Sequence, residues 1–210
     1  MVKRGVLAVI SGFSGAGKGT IMKELVQRYP YFLSVSATTR SPRSGEMDGT
    51  DYFFHTRDEF QRMIQKHELI EWAEYVGNYY GTPKKAVQQQ LEEGKDVLLE
   101  IEMQGGMHVK EQFPDALLIF VTPPSADDLK KRITNRGTET PAEISRRLAR
   151  AAEEVFYMQS YDYIVVNDDL EQAIAQIHQI ISNEHSRTGH CKDMIALMKE
   201  ELKKFSPLTE

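Results

Sequence analysis

Near its start the chain carries a glycine-rich stretch that constrains the fold more than any other, Gly12-Phe13-Ser14-Gly15-Ala16-Gly17-Lys18-Gly19-Thr20. An apolar run from Val6 to Ile10 precedes it and predicts a buried strand, and a segment with apolar residues at helical spacing follows it. Strand, glycine loop and helix in this order predict a P-loop. Backbone N–H groups of such a loop form an anion-binding nest at the helix N-terminus, where Lys18 can reach the outer phosphates of a nucleotide. The alternative is an ordinary glycine-rich turn.

The loop departs from the usual P-loop pattern at one position. Ser or Thr usually follows the lysine and places a hydroxyl on Mg²⁺. Here Gly19 follows the lysine, and the hydroxyl comes one residue later at Thr20. We therefore expect the nucleotide phosphates and water to hold the metal, which suits the reluctance of Mg²⁺ to lose its waters.

Three later apolar runs predict further buried strands, at residues 96–102, 116–121 and 163–166. Helical patterns separate them, so the chain is predicted to form an α/β fold with a parallel sheet flanked by helices on both faces. Ligands of such sheets bind beyond the carboxyl ends of the strands. Gly12 and Glu100 both lie at predicted strand ends of this kind.

The predicted core comprises residues 1–33, 96–125 and 161–190. Residues 34–95 alternate short strand patterns with turn residues and predict a small, mostly β insertion. Residues 126–160 are rich in arginine and predict two helices, separated by a loop at 137–141. Residues 190–205 predict a C-terminal helix whose apolar face packs against the body of the protein or, alternatively, binds a partner.

The composition limits the kind of protein this can be. A chain of 210 residues is long enough for one sizeable domain, and its net charge of −5 argues against general nucleic-acid binding. The single cysteine, Cys191, cannot form an intramolecular disulfide, so we expect a cytoplasmic protein. No run approaches the roughly 20 apolar residues of a membrane span.

A polar segment after the first helix carries the most specific pattern, Ser34-Val35-Ser36-Ala37-Thr38-Thr39-Arg40-Ser41-Pro42-Arg43-Ser44-Gly45-Glu46. It closely resembles guanylate kinases. The resemblance continues, in order, through Asp51-Tyr52, Glu71-Trp72-Ala73, Gly77-Asn78-Tyr79-Tyr80-Gly81-Thr82, Met103-Gln104-Gly105, Arg136-Gly137-Thr138-Glu139-Thr140 and Asn167-Asp168. It implies a P-loop NTPase core with a GMP-binding insertion at 34–95 and a helical lid at 126–160. It also implies transfer of the γ-phosphoryl group of ATP to GMP and dGMP with Mg²⁺.

The resemblance implies a guanine site around Glu71. Guanine has two adjacent donors, N1–H and the 2-amino group, which one carboxylate can accept side by side. Ser36 and Thr82 would supply hydroxyls near the base, and Glu102 stands where the family often has aspartate. Without the surrounding motifs, Glu71 would be interpreted as a solvated surface carboxylate.

The resemblance also implies a clamp on the GMP phosphate, formed by Arg40, Arg43, Tyr52 and Tyr80. Guanidinium groups can grip phosphate oxygens with two parallel hydrogen bonds, which lysine cannot do. The alternatives are an exposed basic loop and tyrosines that belong to the core.

Phosphoryl transfer requires positioning and charge stabilisation. For this role the resemblance implies Lys18, Arg40, Arg136 and Arg147, and it adds the residues Gly12 to Thr20 and Asn167 as the ATP site. Glu100 would support Mg²⁺ through water. The alternative for the lid is ion pairing within helices, since Asp128–Arg132 and Glu143–Arg147 have i, i+4 spacing.

Two rival functions remain at this stage. Guanylate-kinase-like domains of scaffold proteins bind partners and lack the phosphate-binding residues, and a related kinase could act on another phosphorylated acceptor, such as a ribose phosphate. The first rival does not need Lys18, and the second does not need Glu71. The sequence leaves open whether the protein is a monomer or a homo-oligomer.

Overall fold

A computed structural model describes residues 4–75, 77–135 and 140–205. Strands and helices alternate along most of the chain. In order they are β1 (Leu7–Gly12), α1 (Lys18–Arg28), β2 (Phe32–Leu33), β3 (Ala37–Thr38), β4 (Phe53–Phe54), α2 (Arg57–Gln65), β5 (Leu69–Tyr75), β6 (Asn78–Pro83), α3 (Lys84–Glu92), β7 (Val97–Glu100), α4 (Met103–Gln112), β8 (Leu117–Thr122), α5 (Ala126–Thr134), α6 (Pro141–Glu154), β9 (Tyr163–Val166), α7 (Leu170–Glu184) and α8 (Lys192–Leu202).

The larger sheet has five parallel strands in the order β2-β7-β1-β8-β9. Its central strand, β1, is buried along its whole length, as expected when helices cover both faces of a sheet. The predicted α/β class with a parallel sheet is confirmed. The sequence patterns missed β2, because two residues are too few to show any periodicity; Phe32 and Leu33 pair with Val97 and Leu98.

The smaller sheet has four strands in the order β4-β3-β6-β5 and comes entirely from the predicted insertion. The hairpin of β5 and β6 turns near Gly77, whose φ of 75° suits glycine. The first strand of this sheet along the chain, β3, covers only Ala37 and Thr38. A separate small core of Ala37, Phe60 and Leu69 supports this sheet.

Helices α5 and α6 come from the predicted lid, but they pack differently. Leu129 and Ile133 of α5 are buried in the main core. Helix α6 begins at Pro141, where Thr140 and Glu143 form a capping box. Ala151 is its buried residue, so most of α6 lies on the surface.

Helix α8 contradicts the expectation that its apolar face packs on the body. None of its residues is buried, and Met194, Leu197, Met198 and Leu202 are 44–58% exposed. The prediction was wrong because apolar spacing shows which residues share a face, but not whether another element covers that face. Within the described parts of the chain, no helix combines the length and apolarity that crossing a membrane requires.

Candidate functional site

The glycine-rich loop leaves β1 at Gly12 and enters α1 at Lys18. A Cβ atom on Gly12 would lie 2.0 Å from the carbonyl oxygen of Val121, so the backbone of the neighbouring strand excludes any side chain there. Gly17 has a φ of 91°, and a Cβ atom on it would lie 2.5 Å from Nδ2 of Asn167. No side chain caps the N-terminus of α1, so its first N–H groups can bind an anion.

Lys18 folds back over the loop. Its Nζ donates to the carbonyl oxygens of Gly12, at 2.6 Å, and Phe13, at 3.1 Å. The ring of Phe13 is buried and packs edge-on against Phe120, with 5.0 Å between ring centroids. Phe13 therefore anchors the loop through its side chain and offers only its backbone to the site.

Hydrogen bonds from Asn167 and Arg132 hold the glycine-rich loop in place on the side away from the cavity. Asn167 Nδ2 donates to the carbonyl oxygen of Ala16 at 2.7 Å, and Arg132 donates to the carbonyl oxygens of Asn167, at 2.7 Å, and Ala16, at 3.4 Å. Asn167, predicted to bind ATP, thus touches the loop itself. Sequence reasoning missed this role of Arg132, and Asp128, its expected partner in the ion-pairing alternative, bonds Lys131 at 3.3 Å.

In front of the loop lies a cavity of about 490 Å³ between the two sheets and α6. Ten of the predicted site residues line it: Gly12, Ser14, Lys18, Ser36, Tyr52, Glu71, Tyr80, Glu100, Glu102 and Arg147. Of the other loop positions, Gly15, Ala16 and Gly17 are buried or half-buried and lie outside this lining. Gly19 and Thr20 are exposed in the first turn of α1. The structure therefore brings the predicted phosphate and base sites together in one cavity.

The predicted base site holds a buried carboxylate. Glu71 is 8% exposed, and the hydroxyl of Thr82, itself 1% exposed, donates to Glu71 Oε1 at 2.7 Å. Burial raises the pKa of Glu71 to about 7; the charge of Glu102 raises it as well, and the hydrogen bonds of Thr82 oppose the rise. A carboxylate kept out of water in this way is ready to accept donors from a ligand.

The predicted clamp is only partly formed. Arg40 makes two hydrogen bonds to the carboxylate of Glu46, at 2.8 and 2.9 Å, and its guanidinium lies 5.4 Å from the ring centroid of Tyr52. The ring of Tyr80 lies 6.0 Å from that of Tyr52. Arg43 is exposed, and its backbone N–H donates to Glu46 at 2.7 Å. Glu46 therefore organises this loop, a role that its position in the sequence did not reveal.

Glu100 ends strand β7 and faces the same cavity as Lys18. Partial desolvation in the cleft raises the pKa of Glu100, and the charge of Lys18 opposes this. Within the described residues, no cluster of three or more His, Cys, Asp or Glu side chains could hold a metal ion. A site of this kind fits a hard cation that takes most of its ligands from phosphates and water.

The lid contributes basic and acidic groups to the cavity. Arg147 lines it together with Arg150 and Glu154, two residues of α6 that sequence reasoning did not assign to the site. Glu143, the expected i, i+4 partner of Arg147, accepts hydrogen bonds from Thr140 in the capping box. Arg136, the other predicted catalytic residue of the lid, lies outside the described residues.

An anion-binding loop after the central strand of a parallel sheet, open to a second polar pocket, defines a P-loop nucleotide-binding protein. The Guanylate kinase family model matches residues 4–184. The guanylate kinase of Clostridioides difficile is 51% identical over 203 residues, covering 96% of this chain and 99% of the relative. That of Bacillus subtilis is 52% identical over 187 residues, covering 88% and 92%.

The solved structures agree with the sequence comparison. The crystal structure of guanylate kinase from Anaplasma phagocytophilum superposes with a TM-score of 0.73 at 34% identity and covers 89% of each chain. The chain belongs to the guanylate kinase family, and the predicted resemblance is confirmed.

Proposed function

We propose that this protein transfers the γ-phosphoryl group of ATP to GMP and dGMP, giving ADP and the nucleoside diphosphate. The observation that carries the proposal is a buried carboxylate, Glu71, in the same cavity as the P-loop lysine, Lys18. The carboxylate of Glu71 suits a purine with adjacent donors, and Lys18 suits a polyphosphate. Membership of the guanylate kinase family supports both substrates.

On the ATP side, the backbone N–H groups at the start of α1 bind the β- and γ-phosphates. Lys18 exchanges the carbonyl oxygens of Gly12 and Phe13 for phosphate oxygens when ATP enters. Because those carbonyls are neutral, replacing them with phosphate oxygens gains a charge-assisted contact. Arg136 and Arg147 approach the transferred group from the lid and stabilise its charge.

On the GMP side, Glu71 accepts N1–H and the 2-amino group, with Ser36, Thr82 and Glu102 around the base. Adenine has no N1–H, so a site built for this pairing should reject AMP by up to roughly 10⁴–10⁵-fold when the buried carboxylate is left unpaired. Arg40 and Arg43 grip the phosphate with Tyr52 and Tyr80. Arg40 is already oriented by Glu46, so little side-chain entropy remains to be lost.

We propose Mg²⁺ as the divalent ion, with Glu100 supporting it through water. Bound Mg²⁺ would supply neutralisation of the phosphate charge. The position of Gly19 after Lys18 leaves no hydroxyl there for direct ligation, so Glu100 orients waters at the end of β7.

Water competes with GMP as the acceptor, so an efficient enzyme must exclude it during transfer. We propose that the lid, residues 126–160, and the insertion, residues 34–95, close over the two nucleotides. Both elements contribute residues to the cavity between them: Tyr80 comes from β6 and Arg147 from α6. We propose that the protein works in the cytoplasm, as its single cysteine, Cys191, predicts.

A coupled assay that follows ADP formation tests the proposal, with ATP and a panel of GMP, dGMP, AMP, CMP and UMP. We expect turnover with GMP and dGMP only. A ribose phosphate is added as a sixth acceptor. Turnover with none of the six would favour the scaffold function, and turnover with the ribose phosphate but not with GMP would favour a different acceptor. Calorimetry with GMP alone separates failure to bind from failure to react.

A further inference from the structure

Arg150 joins the lid to the base pocket. Its Nη2 donates to Oε2 of Glu102 at 2.7 Å, and its Nε donates to Oε1 of Glu154 at 2.8 Å. Glu154 lies on the same helix, α6, whereas Glu102 lies between β7 and α4 at the floor of the cavity. All three side chains line that cavity.

The chemistry of guanine gives this contact a function. The 2-amino group has two N–H bonds, and Glu71 accepts one of them when it also accepts N1–H. The second N–H needs another acceptor. Among the carboxylates that line the cavity, Glu102 is the one whose charge acts on Glu71. A carboxylate has about four acceptor positions, so Glu102 can bond Arg150 and a ligand together.

The electrostatics point the same way. The charge of Glu102 is close enough to disfavour the charged form of Glu71. A neutral base cannot relieve that repulsion, but the guanidinium of Arg150 can, because it pairs with Glu102 on the side of the lid. Arg147, one turn earlier on α6, lines the cavity too, so the same helix carries both groups.

We propose that Arg150 is a positioning residue for guanine recognition, which holds the carboxylate of Glu102 toward the 2-amino group and ties this recognition to the position of α6. The inference rests on the proposed function. It concerns specificity within that function, and Arg150 does not itself touch the reacting phosphates.

Steady-state kinetics of Arg150→Gln, with GMP and with IMP, test the proposal; IMP has N1–H but no 2-amino group. Arg146→Gln is the matched control, because it removes the same charge from an exposed position of the same helix. We expect Arg150→Gln to raise KM for GMP by roughly threefold to fivefold, the range that a partly exposed ion pair can supply. We expect kcat and KM for ATP to stay at wild-type values. KM for IMP should rise less than KM for GMP, because IMP depends on Glu71 but not on Glu102, and Arg150→Lys should restore part of the loss.

A double-mutant cycle with Glu102→Gln identifies the route of the effect. If Arg150 acts through Glu102, the double variant should be no worse with GMP than Glu102→Gln alone. Additive effects, an equal rise of KM for IMP, or an Arg150→Gln variant that matches the Arg146→Gln control would overturn the proposal. Wild-type protein that does not phosphorylate GMP would instead overturn the proposed function, and thermal unfolding of each variant confirms that the fold is intact.

Discussion

The phosphate loop and the base pocket hold their polar groups by different means. The loop is made of backbone, with glycines where neighbouring atoms leave no room for a Cβ and a lysine held by neutral carbonyl oxygens. The pocket is made of side chains and contains a carboxylate that burial has driven to a pKa of about 7. The polar groups of the loop bond to its own chain, whereas the pocket holds a carboxylate whose charge is disfavoured by burial and by Glu102.

This difference predicts how substitutions in the two regions should affect activity and stability. Changes in the loop should damage catalysis without relieving any strain. Substitutions in the pocket should weaken recognition of GMP and at the same time stabilise the folded protein. The four predictions below test this contrast, from the largest expected effect to the smallest.

The largest effect is expected for Lys18→Ala. This change removes the charge that stabilises the transferring phosphates, so kcat should fall by roughly 10³-fold. Its hydrogen bonds to Gly12 and Phe13 go to backbone carbonyls of the loop, so the melting temperature should change little. Kinetics and thermal unfolding measure the two quantities, with Lys23→Ala on the exposed side of α1 as the control. Near-normal turnover would remove Lys18 from the mechanism.

Gly17→Ala should follow. An alanine Cβ would lie 2.5 Å from Nδ2 of Asn167, and the φ of 91° strains any L-residue. We expect KM for ATP to rise by tenfold or more and stability to fall by about 1–3 kcal/mol. Gly77→Ala is the control for strain alone, because Gly77 has a φ of 75° and no atom within 4 Å of the added Cβ. If both variants bind ATP equally well, contact with Asn167 does not shape the loop.

Glu71→Gln tests the stress in the pocket. The pKa of Glu71 is raised above its unfolded value near 4.5, so its contribution to stability is present below pH 4.5 and is lost as pH rises through about 7. Glutamine cannot ionise, so at pH 8 the variant should be more stable than wild type by on the order of 3 kcal/mol. The gain should shrink toward pH 5.

The same variant should recognise GMP poorly. We expect its KM for GMP to rise about tenfold and its rejection of AMP to weaken, because the amide offers one acceptor and one pair of donors. Glu74→Gln, on the opposite face of β5 and 47% exposed, is the control for both measurements. A variant with unchanged GMP kinetics would place Glu71 outside the base site, and one without the gain in stability would contradict the raised pKa.

The smallest effect is a pH dependence in the wild-type protein. Below about pH 7, Glu71 gains a proton and loses an acceptor for guanine, so KM for GMP should rise severalfold between pH 8 and pH 6. Glu71→Gln should show a flatter profile over this range, which separates Glu71 from titration of the substrate phosphate. Parallel profiles of the two proteins would assign the pH dependence to another group.

The features of the fold and the site that could be predicted from the sequence are those formed by residues close together along the chain. The phosphate loop was predictable because strand, glycines, lysine and helix are contiguous, and the hydrogen bonds of Lys18 stay within six residues. Glu71 and Thr82 came from motif resemblance, since no local pattern shows that strands β5 and β6 bring them together. The class of fold followed from the apolar runs.

What escaped prediction depends on contacts between distant segments. Arg132 reaches the loop across 116 residues of sequence, and Arg150 reaches Glu102 across 48. The local sequence around a helical arginine is the same whether its side chain contacts solvent, a carbonyl oxygen or a carboxylate. The exposed face of α8 was mispredicted for the related reason that amphipathicity does not identify the covering element.

The anchoring of helix α5 has a consequence for motion. Leu129 and Ile133 are embedded in the main core, and Arg132 bonds the carbonyl oxygen of Ala16. Swinging α5 outward would unpack that core, so we expect α5 to stay in place if the proposed closure brings α6 and its Arg147 over the nucleotides. The part of the lid that moves would then be shorter than the arginine-rich segment, and the nucleotide-holding loop would keep a fixed wall at its back.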